Sequence, residues 1–297
     1  MSDIISEGIE RLKKENYAYR IGVSGETLTT FGSGGPVAIV VYPENAKRLL
    51  ALEAILRGIP RFVMGGGSNV LLPSAGVAGA IVKLDAFRGE RACGRVLEVG
   101  AGVKMPRLSA FAKAARLSGV EFASGIPGTV GGAIRTNASA FGQAISDGLS
   151  FVTALVGNKI ERLSPSELGF SHHRAKLPKD SIVLSAAFVL EEGDGEKIGE
   201  RIRSMREKRL QTQPQGRSAG SVFRKCGSVP AAIYIEKTRL KGLKIGGARL
   251  SEKHCNFIVN EGGASSEDFF EIGETVRKKV AEEQGVLLEY EVEKIGW

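Results

Sequence analysis

Two glycine-rich segments are the residues of this sequence best suited to holding a phosphorylated or flat ligand. We call GGGSN at 65–69 the first glycine segment and GIPGTVGG at 125–132 the second glycine segment. A backbone without Cβ atoms can bend so that its amides point at an anion, and it admits a flat ligand at close range. The pair therefore indicates a dinucleotide held between two loops. A tight turn in the first segment, and a crossover packed against a neighbour in the second, are the structural alternatives.

The first glycine segment does not match the common nucleotide-binding fingerprints. A Rossmann fingerprint requires a helix directly after its glycines. Here the following residues, VLLP at 70–73, are typical of extended chain. No GxxxxGK[ST] motif occurs, which argues against a P-loop nucleotide hydrolase.

The composition is that of an ordinary globular enzyme, with 42% hydrophobic and 25% charged residues in a chain of 297. The formal charge of +8 suits an anionic ligand, but Lys and Arg are spread along the chain, which argues against nucleic-acid binding. Three scattered cysteines without metal-ligand spacing suit a reducing compartment. The N-terminal residues predict an acidic amphipathic helix rather than a signal peptide, and no apolar run is long enough to cross a bilayer. We expect a cytoplasmic protein that binds neither metal nor membrane.

Hydrophobic periodicity predicts the strands and helices that position these segments. A strand at 61–64 leads into the first glycine segment, and a helix at 106–118 precedes the second. Further strands are predicted at 37–42, 79–84, 95–99, 151–156 and 182–190. Further helices are predicted at the N-terminus, at 43–57, after the capping-box residues 164–167 and at about 194–210.

A domain boundary is predicted at QPQG, residues 213–216, where proline and glycine end the charged helix. Beyond it, strands at 257–260 and 286–292 flank one more helix, which Gly285 ends. The apolar face of that helix is formed by Phe269, Ile272, Val276 and Val280.

Ordered motifs along nearly the whole chain resemble those of the UDP-N-acetylenolpyruvoylglucosamine reductases, flavoenzymes of peptidoglycan precursor synthesis. The N-terminal motifs are TFGSGGP at 30–36, the first glycine segment, and GIPGTVGGAIRTNASAFG at 125–142. The C-terminal motifs are SAGSVF at 218–223, GGARLSEKH at 246–254, NFIVN at 256–260 and LEYEV at 288–292.

The resemblance implies an α+β protein with an FAD-binding fold of the vanillyl-alcohol-oxidase type. Two small α/β subdomains would form residues 1–212, with a core at about 30–192, and a C-terminal α/β substrate domain would form residues 213–297. The length matches the shorter form of the family, which lacks a tyrosine-bearing loop. In such enzymes NADPH reduces FAD, and the hydride then reduces a UDP-sugar enolpyruvyl group to give UDP-N-acetylmuramate.

Carried over to this sequence, the resemblance also implies a set of flavin-binding residues. They are Gly65, Gly66, Gly67, Ser68, Asn69, Gly125, Ile126, Pro127, Gly128, Thr129, Val130, Gly131, Gly132 and Asn137.

Ser221 matches the proton donor of the family, and Glu291 matches a catalytic glutamate that acts near the substrate carboxylate. A serine hydroxyl is a very weak acid, but hydride addition to an enolpyruvyl group creates a strongly basic enolate that it can protonate. A carboxyl beside an anionic substrate should have a raised pKa and donate a hydrogen bond. His254 matches a substrate-binding position. Each residue also has a structural alternative. Ser221 could be a serine in a turn, Glu291 could lie on a solvated strand face, and His254 could be a hydrogen-bonded structural histidine.

Two segments depart from the family pattern. The Phe-x-Tyr-Arg motif is replaced by FSHHR at 170–174, and we assign the enolate-stabilising role to Arg174 because its charge is permanent, whereas His173 would act only when protonated. Neighbouring residues on extended chain would point apart, and the sequence has only one histidine besides His172 and His173, so a metal site is not expected. After Phe223 the family continues with a basic residue, Asn and Pro, whereas this chain has RKC at 224–226. Arg224, with Lys225, could bind the substrate diphosphate or be solvated.

The sequence thus predicts an NADPH-dependent flavoprotein reductase acting on a UDP-sugar, with a monomer favoured over an oligomer. A flavin oxidase with another substrate is one alternative, although the C-terminal motifs argue against it. A flavin- or nucleotide-sugar-binding homologue with an altered substrate or no turnover is another, based on the two departures.

Overall fold

The computed structural model describes residues 2–170, 175–178 and 180–297. The helices of these residues are α1 (Ser2–Lys14), α2 (Ala46–Ile55), α3 (Met105–Ala114), α4 (Val130–Thr136), α5 (Gly195–Thr212), α6 (Ala231–Lys237) and α7 (Ser266–Gln284). The strands are β1 (Ala18–Ser24), β2 (Pro36–Tyr42), β3 (Arg61–Met64), β4 (Val70–Leu71), β5 (Val77–Lys83), β6 (Glu90–Cys93), β7 (Val96–Gly100), β8 (Leu117–Ser118), β9 (Ser139–Ala140), β10 (Gln143–Ala144), β11 (Leu149–Val156), β12 (Lys159–Leu163), β13 (Ile182–Val189), β14 (Glu191–Glu192), β15 (Arg217–Ser221), β16 (Lys244–Ile245), β17 (Ala248–Leu250), β18 (Phe257–Asn260) and β19 (Glu293–Lys294).

The first sheet has the strand order β1-β2-β5-β3, and its last three strands are parallel. Parallel strands buried on both faces read as continuous apolar runs, and β2 and β5 have that composition. Helix α2 begins after Asn45, whose side chain accepts a hydrogen bond from the Arg48 amide. Leu49 and Leu52 of α2 are buried against Leu12 of α1 and the sheet.

The second sheet is antiparallel, with the order β12-β11-β13-β7-β6. Val99, Val152 and Phe188 on its strands are buried with Leu108 of α3 and Ile134 of α4. This core is continuous with that of α1, α2 and the first sheet. The two sheets therefore form one N-terminal unit, and both glycine segments lie within it.

The C-terminal sheet is antiparallel, with the order β15-β18-β17-β16. Helix α7 begins with a capping box between Ser265 and Asp268 and ends at Gly285, which has a left-handed φ of 67°. The face of α7 predicted from the sequence is buried: Phe269, Ile272, Val276 and Val280.

The end of the chain returns to the N-terminal unit. Strand β19 pairs in parallel with β4, directly after the first glycine segment. Ile295 packs into the core of the first sheet, while Phe31 and Leu71 pack into the C-terminal core. Asn260 donates hydrogen bonds to the carbonyl oxygens of Phe31 and Gly32, at 2.9 and 3.1 Å. The two parts therefore share buried side chains rather than meeting only at their surfaces.

The structure confirms most predicted elements and adds others that were not predicted, among them β1, β6, β12, β15, β17, α4 and α6. Strand β1 was not predicted because most of its residues are exposed and it lacks an apolar stripe; its pairing with β2 stabilises it. Helix α4 was not predicted because Gly131 and Gly132 have poor helix propensity, although they form its first turn.

Two predicted elements are wrong. Ser164 and Glu167 do make the expected capping contacts, with the Ser164 amide 2.7 Å from the Glu167 carboxylate, but the segment is a turn rather than a helix. The strand predicted at 286–292 is irregular chain with a single bridge between Tyr290 and Phe223. Burial does alternate there, but the neighbouring chain does not offer a continuous ladder.

In the part of the chain that the structure describes, no helix is both long and apolar enough to span a bilayer.

Phe31 tests the connection between the two parts. It is fully buried, and its ring meets that of Phe269 edge-on at a centroid distance of 5.2 Å. We expect Phe31→Ala to lower the free energy of unfolding by about 3–5 kcal/mol, because it leaves a cavity. The exposed Ile21 is the control, and Ile21→Ala should change that energy by less than about 0.5 kcal/mol. Urea denaturation measures both, and equal effects would contradict the packing described.

Candidate active site

One cavity of about 450 Å³ lies where the glycine segments meet the C-terminal part. The first glycine segment lines it throughout, and the second lines it through residues 126–129 and 131–132. Ser221 and Glu291 line it from the C-terminal part. Gly125, Val130 and Asn137, which were also expected to bind the cofactor, do not line it.

Hydrogen bonds from both ends of the chain hold the first glycine segment. The amide of Thr30 donates to the Gly67 carbonyl oxygen at 2.9 Å, and Gly67 has a left-handed φ of 68°. The Asn69 side chain donates to the backbone carbonyl of Glu291 at 3.0 Å. The segment is therefore fixed in place by the protein itself, before any ligand is considered.

The two glycine segments touch one another. A Cβ atom on Gly66 would lie 2.6 Å from the Gly128 Cα atom, and one on Gly65 would lie 2.5 Å from the Thr129 hydroxyl. Real Cβ atoms do not approach other atoms so closely. Gly66 is thus required by the approach of the Gly128 backbone, and Gly65 by the Thr129 side chain. This agrees with the alternative stated for the second glycine segment, namely packing against a neighbour.

Gly132 differs from these glycines. Outside its own helix and neighbours, a Cβ atom there would meet only the Thr129 hydroxyl, at 3.7 Å. Because Gly132 lines the cavity, a side chain at this position would extend into the cavity rather than clash with the protein.

The three residues outside the cavity wall support the second glycine segment. Val130 is buried, and its amide donates to the Val103 carbonyl at 2.9 Å. Asn137 ends α4 in the left-handed conformation, with φ 43°. Gly125 leaves room for the side chain of Arg209, because a Cβ atom there would lie 2.9 Å from Arg209 Cδ.

Lys83 is a site residue that sequence reasoning missed. It ends β5, is only 8% exposed, and its ammonium donates to the Gly65 carbonyl oxygen. Burial lowers the pKa of Lys83, and nearby Asp85 opposes that shift. A lysine at the end of an apolar strand, in VKLD at 82–85, was the available signal.

Ser221 ends β15 and reaches the cavity through an irregular strand. The register between β15 and β18 shifts between Ser218 and Ser221, and Gly220 has a left-handed φ of 77°. A turn-like glycine before Ser221 redirects the chain, so Ser221 lies on the cavity wall. The structure thus brings the predicted proton donor to both glycine segments.

Glu291 lies on the same wall. Its amide donates to the Val222 carbonyl at 2.8 Å, one residue from Ser221. Burial raises the pKa of the Glu291 carboxyl to about 7, and the positive charge of Arg224 partly opposes that shift. Near neutral pH this carboxyl is therefore present in both protonation states, so it can donate a hydrogen bond when protonated.

Arg224 and His254, the expected substrate-binding residues, stand behind the cavity wall. Arg224 Nε donates to the Tyr290 carbonyl at 3.2 Å. His254 Nδ1 accepts from the Asn256 amide at 3.3 Å, so a neutral ring carries its proton on Nε2. Burial lowers the pKa of His254, which favours that neutral form. Its contacts match the structural alternative, and its role in substrate binding stays a prediction.

The remaining sequence predictions concern the segments that depart from the family pattern. Arg174, with His172 and His173, lies outside the described residues. Lys225 is exposed beside Arg224. Among the residues that the structure describes, no group of three or more His, Cys, Asp or Glu side chains could hold a metal ion.

The cavity wall offers further groups that the sequence did not single out. The side-chain oxygens of Gln213 and Ser181 are buried there without a hydrogen-bond partner in the described chain. Buried polar atoms are normally paired, so these groups fit a ligand that carries hydroxyl, amine or phosphate groups. Together with the open space over Gly132, they fit a flavin dinucleotide.

Comparison with known proteins agrees with this geometry. A family model described as an FAD binding domain matches residues 37–157, and one described as the UDP-N-acetylenolpyruvoylglucosamine reductase C-terminal domain matches residues 212–295. With the mixed fold and its cavity, these matches define an FAD-binding protein of the predicted α+β class.

Relatives over the full length give the family. A UDP-N-acetylenolpyruvoylglucosamine reductase of Rubrobacter xylanophilus is 38% identical over 274 residues, which cover 90% of this chain and 92% of the relative. One of Caldanaerobacter subterraneus is 36% identical over 301 residues, covering 100% and 99%. The crystal structure of the enzyme from Thermus caldophilus superposes with a TM-score of 0.81 at 33% identity, over 94% of this chain and 98% of that one. The chain belongs to the UDP-N-acetylenolpyruvoylglucosamine reductase family.

Two glycine-to-alanine variants separate contact between loops from contact with a ligand. We expect Gly66→Ala to destabilise the fold, by about 1–3 kcal/mol, because its Cβ atom would press on the Gly128 backbone. Gly132→Ala should fold at least as stably, since alanine favours a helix, but should bind FAD more weakly because its methyl group enters the cavity. Thermal unfolding of the apo-proteins and FAD titration measure the two effects. If the two variants had the same stability and the same FAD affinity, Gly66 would not be a loop contact distinct from a ligand contact at Gly132.

Proposed function

We propose that this protein reduces UDP-N-acetylglucosamine enolpyruvate to UDP-N-acetylmuramate, with FAD as cofactor and NADPH as reductant, in peptidoglycan precursor synthesis. One observation carries the proposal: Ser221 and Glu291, from the C-terminal part, line the same cavity as both glycine segments. A non-catalytic flavin binder would not need a proton donor and a buried carboxyl on the cofactor cavity. Membership of the reductase family supports the substrate and the reductant.

In this proposal the two parts of the chain bind different ligands. Residues 1–212 bind the flavin, and residues 213–297 bind the UDP-sugar, in a cytoplasmic enzyme. The C-terminal family match begins at residue 212, which supports this division. The irregular end of β15 and the segment around Glu291 then form the contact between cofactor and substrate.

Bound FAD would supply the hydride chemistry, by accepting a hydride from NADPH and delivering it to the enolpyruvyl double bond. The chain's own contribution is to place a proton donor and to stabilise the enolate. Ser221 supplies the proton to the enolate carbon, which is basic enough to take a proton from a hydroxyl group. Glu291, when protonated, donates a hydrogen bond to the substrate carboxylate and so disperses the enolate charge.

Cationic residues complete the proposed substrate site. Arg174, assigned from the family motif, would supply a permanent positive charge that stabilises the enolate. Arg224 acts partly through Glu291, since its charge moderates the pKa of that carboxyl. It also holds the Tyr290 carbonyl, which positions the chain on which Glu291 lies.

The proposed activity is tested anaerobically with purified, FAD-loaded protein. NADPH should bleach the flavin absorbance, and UDP-N-acetylglucosamine enolpyruvate should then restore the oxidised spectrum. A flavin that is reduced but not reoxidised would instead indicate another substrate. A protein that retains FAD but is not reduced by NADPH would indicate a binding protein without turnover.

Ser221→Ala separates the two half-reactions. Reduction of the flavin by NADPH should remain within a few-fold of the wild type, while reoxidation by the enolpyruvyl sugar should slow by at least about 100-fold, because the proton donor is lost. Ser218→Ala on the same strand is the control, because only its carbonyl accepts the 2.7 Å hydrogen bond from Thr30. Equal loss of both half-reactions in Ser221→Ala would remove Ser221 from proton transfer.

The raised pKa of Glu291 predicts a pH dependence of reoxidation. The carboxyl is protonated below about pH 7, so kcat/KM for the enolpyruvyl sugar should fall as the pH rises through that value. Glu291→Gln keeps a hydrogen-bond donor but cannot titrate, so the fall near pH 7 should disappear. The pH profiles of the two proteins test this, and an unchanged fall in the variant would assign it to another group.

A further inference from the structure

Arg209 is a cation on the cavity wall that the roles assigned above do not use. It lies in the last turn of α5 and lines the cavity with Gln213, whose amide donates to its carbonyl at 2.9 Å. Within the described residues, the Arg209 guanidinium makes no hydrogen bond and no ion pair. Arg201, on the same helix, pairs instead with Glu121 at 2.9 Å.

The position of Arg209 is defined by the second glycine segment. Its side-chain stem lies over Gly125, where a Cβ atom would come within 2.9 Å of Arg209 Cδ. A side chain at position 125 would therefore displace the arginine stem from this position. This explains a glycine that does not itself line the cavity wall.

The energetics favour an anionic partner for this arginine. Burial lowers the pKa of Arg209, which means that its charge is removed from water without a compensating carboxylate. An arginine keeps its charge in such surroundings, and its planar fork matches phosphate oxygens in bidentate geometry. The buried Gln213 oxygen one turn further on is an unpaired acceptor on the same wall.

We propose that Arg209 binds the diphosphate of the flavin dinucleotide, with the Gln213 side chain accepting a hydrogen bond from a neighbouring ligand hydroxyl. This inference rests on the proposed function, because it places FAD in this cavity. The diphosphate of the UDP-sugar has the same chemistry, but the contact between Arg209 and the second glycine segment favours the cofactor.

The proposal is tested by titrating the apo-protein with FAD and monitoring binding through flavin fluorescence. Arg209→Gln should weaken FAD binding by about 10- to 100-fold, as expected for a lost charge-assisted contact. Arg209→Lys keeps the positive charge but lacks the planar guanidinium, so its FAD affinity should lie between those of Arg209→Gln and the wild type. Arg206→Gln is the matched control, since Arg206 is exposed on the same helix and should leave the affinity unchanged.

The salt dependence of FAD binding separates an ionic contact from a purely structural role of Arg209, because only the ionic contact would change it. Because an ionic contact is screened by salt, the FAD dissociation constant of Arg209→Gln should depend less steeply on NaCl concentration than that of the wild type. Circular dichroism and thermal unfolding of the apo-proteins confirm that the variants fold. A variant with weaker FAD binding but an unchanged salt dependence would overturn the ionic contact.

FAD binding by the wild type separates the role of Arg209 from the proposed function. If the wild type does not bind FAD, the proposed function itself fails. If the wild type and Arg209→Gln bind FAD equally, only the role of Arg209 fails. UDP binding to the FAD-loaded proteins should be equal; a loss confined to UDP would assign Arg209 to the nucleotide-sugar and overturn the cofactor contact.

Discussion

Backbone pairing between the first glycine segment and the end of the chain is the constraint on which the site depends. Strand β19 pairs with β4, and Asn69 donates to the Glu291 carbonyl, so residues far apart in sequence meet at one loop. Ile295 buries its side chain in the core of the first sheet, which ties the pairing to the stability of the fold. Without this return, Glu291 would lie on a separate C-terminal unit, and the cavity would lack one wall.

The same junction explains the electrostatics of the site. Glu291 and Lys83, which lie beside the first glycine segment, are both largely buried. Burial therefore raises the pKa of Glu291 and lowers the pKa of Lys83. The raised pKa allows the Glu291 carboxyl to be protonated near neutral pH and to donate a hydrogen bond. Burial at this junction thus shifts the pKa of a carboxyl and of an ammonium group in opposite directions.

Much of this arrangement could be predicted from the sequence because short motifs carry it. The strand before the first glycine segment and the apolar face of α7 follow from periodicity alone. The motifs around Ser221 and Glu291 indicated a shared function, although periodicity said nothing about their distance. Their meeting depends on the register shift at Gly220 and on the β4–β19 pairing, which are long-range features.

The sequence predictions that were wrong or incomplete also depend on long-range contacts. The residues at 286–292 alternate in burial as a strand would, yet the neighbouring chain allows only one bridge, at Tyr290. Arg209 was missed because one basic residue on a charged helix carries no signal until the fold buries it. For Lys83 the only signal was its place at the end of an apolar strand. The glycines of the two segments were assigned to a ligand, and Gly65 and Gly66 do line the cavity, but they are also required by contact with the second segment. Glycine content alone does not separate a backbone contact from a ligand contact.

The account is tested most directly by a crystal structure of the protein with oxidised FAD and UDP-N-acetylglucosamine enolpyruvate, in the absence of NADPH. We expect the flavin to lie between the two glycine segments, and the Ser221 hydroxyl to lie about 3 Å from the enolpyruvyl group, within reach for proton transfer. Glu291 should lie on the same side, against the substrate carboxylate. A flavin bound elsewhere, or an enolpyruvyl group on the far side of the cavity from Ser221, would contradict the central claim that one cavity unites cofactor, substrate and proton donor.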